Sequence, residues 1–215
     1  MLILARHGQT NANAQRLLQG RTDLALNPAG VAQATAMGDY LAVWLEQGVQ
    51  PSQSPAAPSA IPGGSPIVRV VSSPLLRARQ TANIIGDLLG VVPTVDERLV
   101  EVSYGEWEGM PVVDIANTAA SRWRTDPDFA PPGGESLATV EARVLPLLDE
   151  WLQDDVVIAV SHVSPIKALL TSALRMPVVA SWRFRLDNGA LTIVDGNAKW
   201  PVVTGFNILP LAGEH

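Results

Sequence analysis

The chain has 215 residues, a formal net charge of −6 and 47% hydrophobic residues. This composition is typical of a globular protein, and the acidic balance argues against general attraction to nucleic acid or to a membrane surface. The lack of cysteine excludes disulfides, thiolate metal sites and cysteine catalysis. We find no pattern of a secretory signal or of a membrane-spanning segment, and we therefore expect a cytoplasmic protein.

The length of the chain favours one domain over residues 1–215. Residues 48–66 are rich in proline and serine, which predicts an irregular surface loop within that domain and not a domain boundary. A protein-binding role for these prolines is the alternative. The only histidines are His7, His162 and His215, so a metal centre built from several histidines is not expected.

The first predicted strand, 2–5, is an apolar run that ends in Arg6, His7 and Gly8. Such a run is typical of a buried parallel strand, and ligands bind beyond the carboxyl ends of such strands. His7 therefore occupies a position suited to chemistry, beside a cation and a glycine that would let a ligand approach the backbone. The alternative is a histidine in an ordinary polar loop, which would continue over 8–26.

Strands and helices then alternate along the chain. Asn27 and the proline after it predict the start of a helix over 28–46, and Ser73 and its proline predict the same start for a helix over 74–89. This alternation predicts an α/β protein. The other predicted elements are strands at 68–71, 91–95, 156–160, 184–186, 190–194 and 202–209, helices at 135–152 and 164–176, and a turn at 188–189.

Two further groups lie where strands end. His162 directly follows an apolar strand, as His7 does, so we expect both histidines at the same edge of one sheet. Arg77, Arg79 and Gln80 lie in the first two turns of a predicted helix, and the start of a helix is a place that suits an anion. Exposed arginines without a ligand are the alternative.

Glu101 lies between apolar neighbours, which indicates a partly buried carboxyl group that can act as an acid. An edge carboxylate paired with Arg98 fits the local sequence equally well. Residues 111–135 mix aromatic residues, arginines and turn residues, and they predict either a lid over a site or an irregular connection. The side chains expected to set substrate preference are Trp107, Arg122, Trp123, Arg124 and Arg185.

Two histidines, two arginines and one carboxylate, without cysteine or metal-ligand spacing, indicate phosphoryl chemistry that uses no metal. Arginine pairs bind phosphate oxygens bidentately. A neutral imidazole can attack phosphorus and carry the phosphoryl group covalently, while a protonated acid supports the leaving oxygen.

These residues stand in motifs that resemble the histidine phosphatase superfamily, in the branch that includes cofactor-dependent phosphoglycerate mutases, fructose-2,6-bisphosphatases and α-ribazole phosphatases. The motifs are Arg6-His7-Gly8-Gln9-Thr10 with Asn13, Gln19-Gly20 with Asp23, Leu26-Asn27-Pro28-Ala29-Gly30, Ser72-Ser73-Pro74-Leu75-Leu76-Arg77-Ala78-Arg79, Leu99-Val100-Glu101, Gly105-Glu106-Trp107-Glu108-Gly109, Gly134-Glu135-Ser136 and Val160-Ser161-His162. The resemblance covers nearly the whole chain except 48–66. It implies a phosphoglycerate mutase-like fold, a three-layer αβα sandwich with a mostly parallel central sheet.

The resemblance also implies a role for each site residue. His7 resembles the nucleophile that becomes phosphohistidine, and Glu101 resembles the general acid that later activates water. Arg6, Arg77 and a charged His162 resemble the phosphate pocket. The substrate contacts that it implies are Thr10, Asn13, Gln19, Gly20 and the backbone amide of Val163. It implies no metal and no other cofactor.

Three functions compete at this point. The first is a phosphomonoesterase acting on a small phosphorylated metabolite, of the type that resembles α-ribazole phosphatase. The second is a mutase, which is disfavoured because 109–134 and 205–215 are shorter than their counterparts in the mutases of this branch. The third is a non-catalytic module that binds a phosphorylated ligand, which is disfavoured because His7, Glu101 and His162 are all present. A homodimer is one alternative for the assembly.

Overall fold

The computed structural model describes residues 1–46, 68–118, 120–152, 156–196 and 200–210. The proline- and serine-rich stretch at 48–66 and the terminal His215 lie outside the described residues. No helix within these ranges is both long and apolar enough to cross a membrane.

The described chain forms one central sheet of six strands in the order β3-β2-β4-β1-β5-β6. Strands β3, β2, β4 and β1 run parallel to one another. Strand β5 pairs antiparallel with β1, and β6 pairs antiparallel with β5. The strands are Leu2–Arg6 (β1), Val68–Ser72 (β2), Thr94–Val95 (β3), Val156–Ser161 (β4), Leu191–Asp195 (β5) and Val202–Ile208 (β6). The mostly parallel sheet expected from the sequence is confirmed.

Helices cover both faces of this sheet. They are Asn11–Ala14 (α1), Pro28–Glu46 (α2), Leu76–Leu89 (α3), Val112–Thr118 (α4), Ala120–Thr125 (α5), Leu137–Trp151 (α6) and Val163–Ala173 (α7). Because successive side chains of a strand point to opposite faces, each strand contributes to two cores. Leu2 and Leu4 pack in the cluster that contains α6 and α7, whereas Ile3 and Ala5 pack in the cluster that contains α2 and α3. The fold is therefore the expected three-layer αβα sandwich.

Two predicted helix starts differ from the structure. Helix α3 begins at Leu76 and not at Pro74, and its N-cap residue Leu75 provides no side-chain hydrogen bond. The Leu76 amide instead donates to the Asp23 carboxylate at 2.6 Å, so a tertiary contact replaces the cap that was expected from Ser73. Helix α7 begins at Val163, directly after His162 at its N-cap, and it ends at Ala173.

Two other predicted regions also differ. Residues 184–186 form no strand, because the Leu186 carbonyl accepts a hydrogen bond from Arg6 Nη1 at 2.6 Å instead of pairing in the sheet. The stretch at 8–26 was expected to be a loop, but it contains the short helix α1, which Thr10 caps by accepting from the Asn13 amide. The expected turn at 188–189 is present.

Candidate active site

The register of the sheet brings the two internal histidines together. Strands β1 and β4 are parallel neighbours in which Arg6 pairs with Ser161, so the next residues, His7 and His162, leave the sheet side by side. The centroids of their rings are 5.0 Å apart. The prediction that both histidines share one edge of the sheet is confirmed.

The hydrogen bond of His7 determines which ring nitrogen is free. His7 Nδ1 lies 2.6 Å from the carbonyl oxygen of Gly8. A carbonyl only accepts, so Nδ1 carries the hydrogen and the lone pair belongs to Nε2. Burial, followed by the charges of Arg77 and Arg6, lowers the pKa of His7 well below its ordinary value. The ring is therefore neutral near pH 7 and Nε2 is available as a nucleophile.

Two guanidinium groups lie beside His7. Arg6 Nη1 donates to Leu186, while Arg77 Nη1 and Nη2 donate to the carbonyls of Thr22 and Gly20 at 2.9 and 2.8 Å. Burial lowers the pKa of Arg6 to about 10, so this side chain stays charged at neutral pH. The Nε atoms of both arginines are buried without a hydrogen-bond partner among the described residues.

His162 is fully buried next to this cation pair. Its Nε2 shares a hydrogen bond of 2.7 Å with Ser73 Oγ, and its Nδ1 has no partner in the described part of the chain. Burial and the charge of Arg77 lower the pKa of His162 well below its ordinary value. The sequence led us to expect a charged His162, but without a bound anion the surroundings favour the neutral ring.

Glu101 is buried, with only 6% of its surface exposed. Its Oε1 accepts hydrogen bonds from the amides of Val102 and Ser164 at 2.9 and 3.1 Å, which leaves Oε2 as the oxygen able to carry a proton. The alternative of an edge carboxylate paired with Arg98 is wrong, because Arg98 pairs with Asp96 and Glu150.

These groups line a cavity of about 390 Å³ at the carboxyl ends of the strands. Its polar wall contains Arg6, His7, Arg77 and Glu101, whereas His162 lies behind His7 and does not reach the wall. The remaining lining residues are Asn13, Arg16, Leu17, Leu18, Gln19, Gly20, Tyr104, Val112, Ile115, Trp123, Arg124, Val163, Trp182 and Asn188.

Four of the five predicted substrate contacts, Asn13, Gln19, Gly20 and Val163, line the cavity. The amide of Val163 lies in the first turn of α7, where backbone amides have no partner within the helix. Thr10 is not on the wall. Thr10 is fully buried, and its hydroxyl donates to Gln19 Oε1 at 2.8 Å. Thr10 therefore positions Gln19, which lines the cavity.

Two expectations about the surroundings of the site were wrong. A Cβ at Gly8 would lie 2.2 Å from the carbonyl oxygen of Gly30, so Gly8 allows close packing of two backbone segments and not the approach of a ligand. Arg79 and Gln80 do not join Arg77 at the site. Arg79 is exposed, and Gln80 Oε1 accepts from the Leu26 amide at 2.8 Å.

The segment predicted as a lid or a connection forms one wall of the cavity. Of the five side chains expected to set substrate preference, Trp123 and Arg124 line the cavity. Trp107 packs behind Trp123 with ring centroids 5.6 Å apart. Arg122 pairs with an acidic residue of the same segment, and Arg185 pairs with Asp187 while its side chain is 83% exposed, so neither of them reaches the wall.

Tyr104, Asn188 and Trp182 are among the lining residues that sequence reasoning missed. Tyr104 hydrogen-bonds to Ser164, and burial together with Glu101 raises the pKa of Tyr104, so its phenol stays protonated. Asn188 donates to Asn13 Oδ1 at 3.1 Å, although the sequence indicated only a turn at this position. Trp182 lies in the short 3-10 helix Val178–Arg183, and no local pattern marked it as part of the site.

Comparison with known proteins assigns the chain to a family. The chain belongs to the histidine phosphatase superfamily, because the model of branch 1 of that superfamily matches residues 2–57 and 45–209. The resemblance seen in the sequence motifs is thereby confirmed.

Several bacterial proteins are similar to this chain. A bifunctional protein of Mycobacterium tuberculosis is 36% identical over 200 residues, which cover 90% of this chain and 50% of that protein. The chain thus spans about half the length of this relative. The glucosyl-3-phosphoglycerate phosphatase of Mycolicibacterium vanbaalenii is 33% identical over 95% of this chain and 84% of its own length. A Yersinia pestis protein named as a phosphoglycerate mutase is 31% identical over 99% of the chain.

Solved structures share the fold along nearly the whole chain. A mycobacterial glucosyl-3-phosphoglycerate phosphatase in complex with VO3 superimposes with a TM-score of 0.78 at 29% identity, and covers 96% of this chain and 98% of its own. Phosphoserine phosphatase from Entamoeba histolytica, in complex with 3-phosphoglyceric acid, superimposes with a TM-score of 0.77 at 26% identity, over 96% of both chains.

Proposed function

We propose that this protein is a phosphomonoesterase that hydrolyses a small phosphorylated metabolite through a phosphohistidine intermediate on His7. The observation that carries this proposal is the neutral ring of His7, whose Nε2 carries the lone pair, in the wall of a cavity that Arg6 and Arg77 also line. The phosphatase relatives support the same activity.

In the first half-reaction, His7 Nε2 attacks phosphorus and the bond between phosphorus and the ester oxygen breaks. Arg6 and Arg77 hold the nonbridging oxygens, whose charge also satisfies buried guanidinium nitrogens that otherwise lack partners. A phosphate dianion at the His7 end of the cavity favours protonation of the neighbouring His162 ring, whose charge then helps to stabilise the transferring group. Glu101 gives the proton on Oε2 to the leaving alcohol.

In the second half-reaction, Glu101 accepts a proton from water, and the oxygen of that water attacks phosphorus. The bond between phosphorus and nitrogen breaks, inorganic phosphate leaves, and His7 returns to its neutral form. The arginine pair supplies the positive charge in both steps, so we propose that no metal takes part. Among the described residues, no group of three His, Asp or Glu side chains is arranged to hold a metal ion.

Phosphate release from a panel of phosphomonoesters, measured with a chelator present, tests this proposal. We expect turnover by the native protein and its loss in His7→Asn, which keeps the size of the side chain but has no imidazole. Equal turnover by both proteins would contradict the assignment of the nucleophile. Loss of native turnover in the chelator, with recovery on adding a divalent metal, would contradict metal-free catalysis.

One comparison supports the alternative function of a mutase, because one relative is named as a phosphoglycerate mutase. The cavity is open to water on the side of Trp182, which is 39% exposed, and an open site favours hydrolysis of the phosphoenzyme. Isomerisation of 3-phosphoglycerate in the presence of 2,3-bisphosphoglycerate, faster than release of phosphate, would favour the mutase instead.

We also propose a cytoplasmic location, which fits a chain without cysteine and a metabolite as substrate. The homodimer stays a prediction that sedimentation analysis can test. A second copy could cover exposed aromatic side chains such as Trp200, which is 51% exposed.

A further inference from the structure

The two ends of the cavity differ in polarity and in burial. His7 and Arg77, at the phosphate end, are 3% and 1% exposed. Trp182 and Val112, which line the same cavity, are 39% and 47% exposed and therefore lie towards its mouth. The reacting phosphoryl group belongs at the buried end, so the alcohol part of the substrate extends towards the mouth.

The wall that this alcohol would meet is apolar over most of its area, although Arg16 and Arg124 also line the cavity. Besides Trp182 and Val112 it contains Ile115 and Trp123, which are buried, and the two leucines at 17 and 18. Polyols need hydrogen-bonding partners along their length, and the apolar part of the wall provides none for their hydroxyl groups. An apolar alcohol gains free energy from the same surface.

Trp182 is held in place although it is partly exposed. Its Nε1 donates to the carbonyl of Trp123 at 3.2 Å, and the two indole rings meet edge to face with centroids 5.1 Å apart. The guanidinium of Arg124 lies 5.7 Å from the centroid of the Trp182 ring. A ring fixed before binding offers contact area to a ligand without a further loss of side-chain entropy.

We propose that Trp182 determines specificity by packing against an apolar or aromatic leaving group, so that the preferred substrates are phosphomonoesters of apolar alcohols. This inference rests on the proposed phosphatase function and narrows its substrate class. Such an apolar leaving group differs from the sugar derivative in the name of the glucosyl-3-phosphoglycerate phosphatases.

The test compares 2-phenylethyl phosphate with glycerol 3-phosphate. Both are esters of primary alcohols, so their chemical reactivities are similar and their difference lies in the leaving group. We expect the native protein to prefer the phenylethyl ester by about tenfold in kcat/KM. Trp182→Ala should reduce this preference about fivefold, mainly through KM, whereas Trp182→Phe should keep part of it.

Two controls separate specificity from a general defect. Inhibition by inorganic phosphate depends on the arginine end and should be unchanged in Trp182→Ala. Trp200→Ala removes another exposed tryptophan, whose ring contacts Arg175 and not the cavity, and it should leave both esters unaffected.

The possible outcomes separate this inference from the proposed function. A native preference for glycerol 3-phosphate, or an equal loss for both esters in Trp182→Ala with phosphate inhibition intact, would overturn the inference and leave the phosphatase assignment standing. Failure of the native protein to hydrolyse either ester, or any other ester of the panel, would contradict the phosphatase assignment and the inference with it.

Discussion

At the residue scale, the proposed reaction depends on which ring nitrogen of His7 and which carboxyl oxygen of Glu101 are free to react. The Gly8 carbonyl fixes the hydrogen of His7 on Nδ1, and two backbone amides fix Glu101 so that its Oε2 remains available. Nucleophile and acid are thus oriented by main-chain groups, which cannot rotate away as side chains can. The two residues are prepared for reaction before any substrate binds.

Replacing the acid gives a prediction that depends on the leaving group. Glu101→Gln keeps an oxygen that can accept from the Val102 and Ser164 amides, so the fold should survive. Loss of the proton donor should lower kcat/KM, which reports the transfer of the phosphoryl group to His7, about 10²- to 10⁴-fold for alkyl esters. Aryl esters with acidic leaving groups need less protonation and should lose less. An equal loss for p-nitrophenyl and alkyl phosphates would contradict the role of Glu101 as the acid.

The sequence predicted the two site histidines better than it predicted the other residues around the cavity. His7 and His162 were found because each directly follows an apolar strand, and that rule depends only on local sequence. Asn188 and Trp182 reach the same cavity from the far end of the chain. Their positions depend on the path of the chain after α7, which no periodic pattern in the sequence encodes.

At the element scale, the loop after α1 is fastened to the segment that follows Glu108. The Gly109 amide donates to the Leu18 carbonyl at 2.7 Å, and the Leu18 amide donates to the Met110 carbonyl at 3.0 Å. The Glu108 carboxylate accepts from the amides of Arg21 and Thr22 at 2.9 and 3.0 Å. This clamp fixes the turn at 19–22.

The clamp acts on the phosphate site through the turn. The carbonyls of Gly20 and Thr22 hold the guanidinium of Arg77, and Gly20 has a φ of +51°, which favours glycine. A Cβ at Gly20 would lie 2.2 Å from Glu108 Oε1. The position of Arg77 therefore depends on Glu108, a residue that is not on the cavity wall.

Glu108→Gln should therefore weaken phosphate binding although Glu108 does not touch the ligand. A neutral amide is a weaker acceptor for the turn amides than a carboxylate, so we expect inhibition by inorganic phosphate to weaken about tenfold. Glu106→Gln is the matched control, since Glu106 is an exposed neighbour on the same segment. Equal phosphate inhibition in the two variants would contradict the positioning role of Glu108.

Tertiary contacts explain why some predicted boundaries failed. Ser73 was expected to cap α3, but its hydroxyl contacts His162, and Asp23 satisfies the Leu76 amide instead. Residues 184–186 have the composition of a strand, yet the Leu186 carbonyl accepts a hydrogen bond from Arg6. In both places the requirements of the site override the local preference of the sequence.

At the scale of the whole molecule, the sequence predicted the layered α/β fold from the alternation of strands and helices. Strand β4 is buried along its entire length, and such a continuous apolar run is what a central parallel strand requires. The antiparallel addition of β5 and β6 was not predicted. Apolar composition alone does not state the direction in which an outer strand runs.

Two buried neutral histidines should make the stability of the molecule depend on pH. Burial lowers the pKa of His7 and His162 in the folded protein, whereas in the unfolded chain both titrate near pH ~6.5. Below that pH the unfolded chain binds more protons, so the free energy of unfolding falls as the pH falls, by up to about 1.4 kcal/mol per pH unit for each histidine. Above that pH the effect disappears.

Denaturant unfolding of the native protein and of His162→Asn between pH ~7 and ~5 checks this effect. The native protein should lose more stability over this range than the variant, because the variant has one fewer group that must stay neutral. Carboxylates titrate in both proteins and cancel in the difference. Parallel stability curves would show that His162 is not held neutral by the fold.

The most direct test of the central claim is to trap the phosphoenzyme. Glu101→Gln, mixed with a labelled aryl phosphomonoester in the presence of a chelator, should accumulate a covalent phosphoryl group because the attack of water is slowed. Mass spectrometry and phosphorus NMR can then identify the residue and the ring nitrogen. The structure predicts phosphohistidine at Nε2 of His7, since Nδ1 donates to Gly8. A phosphoryl group on Nδ1, on another residue, or on no residue while turnover continues would contradict the account.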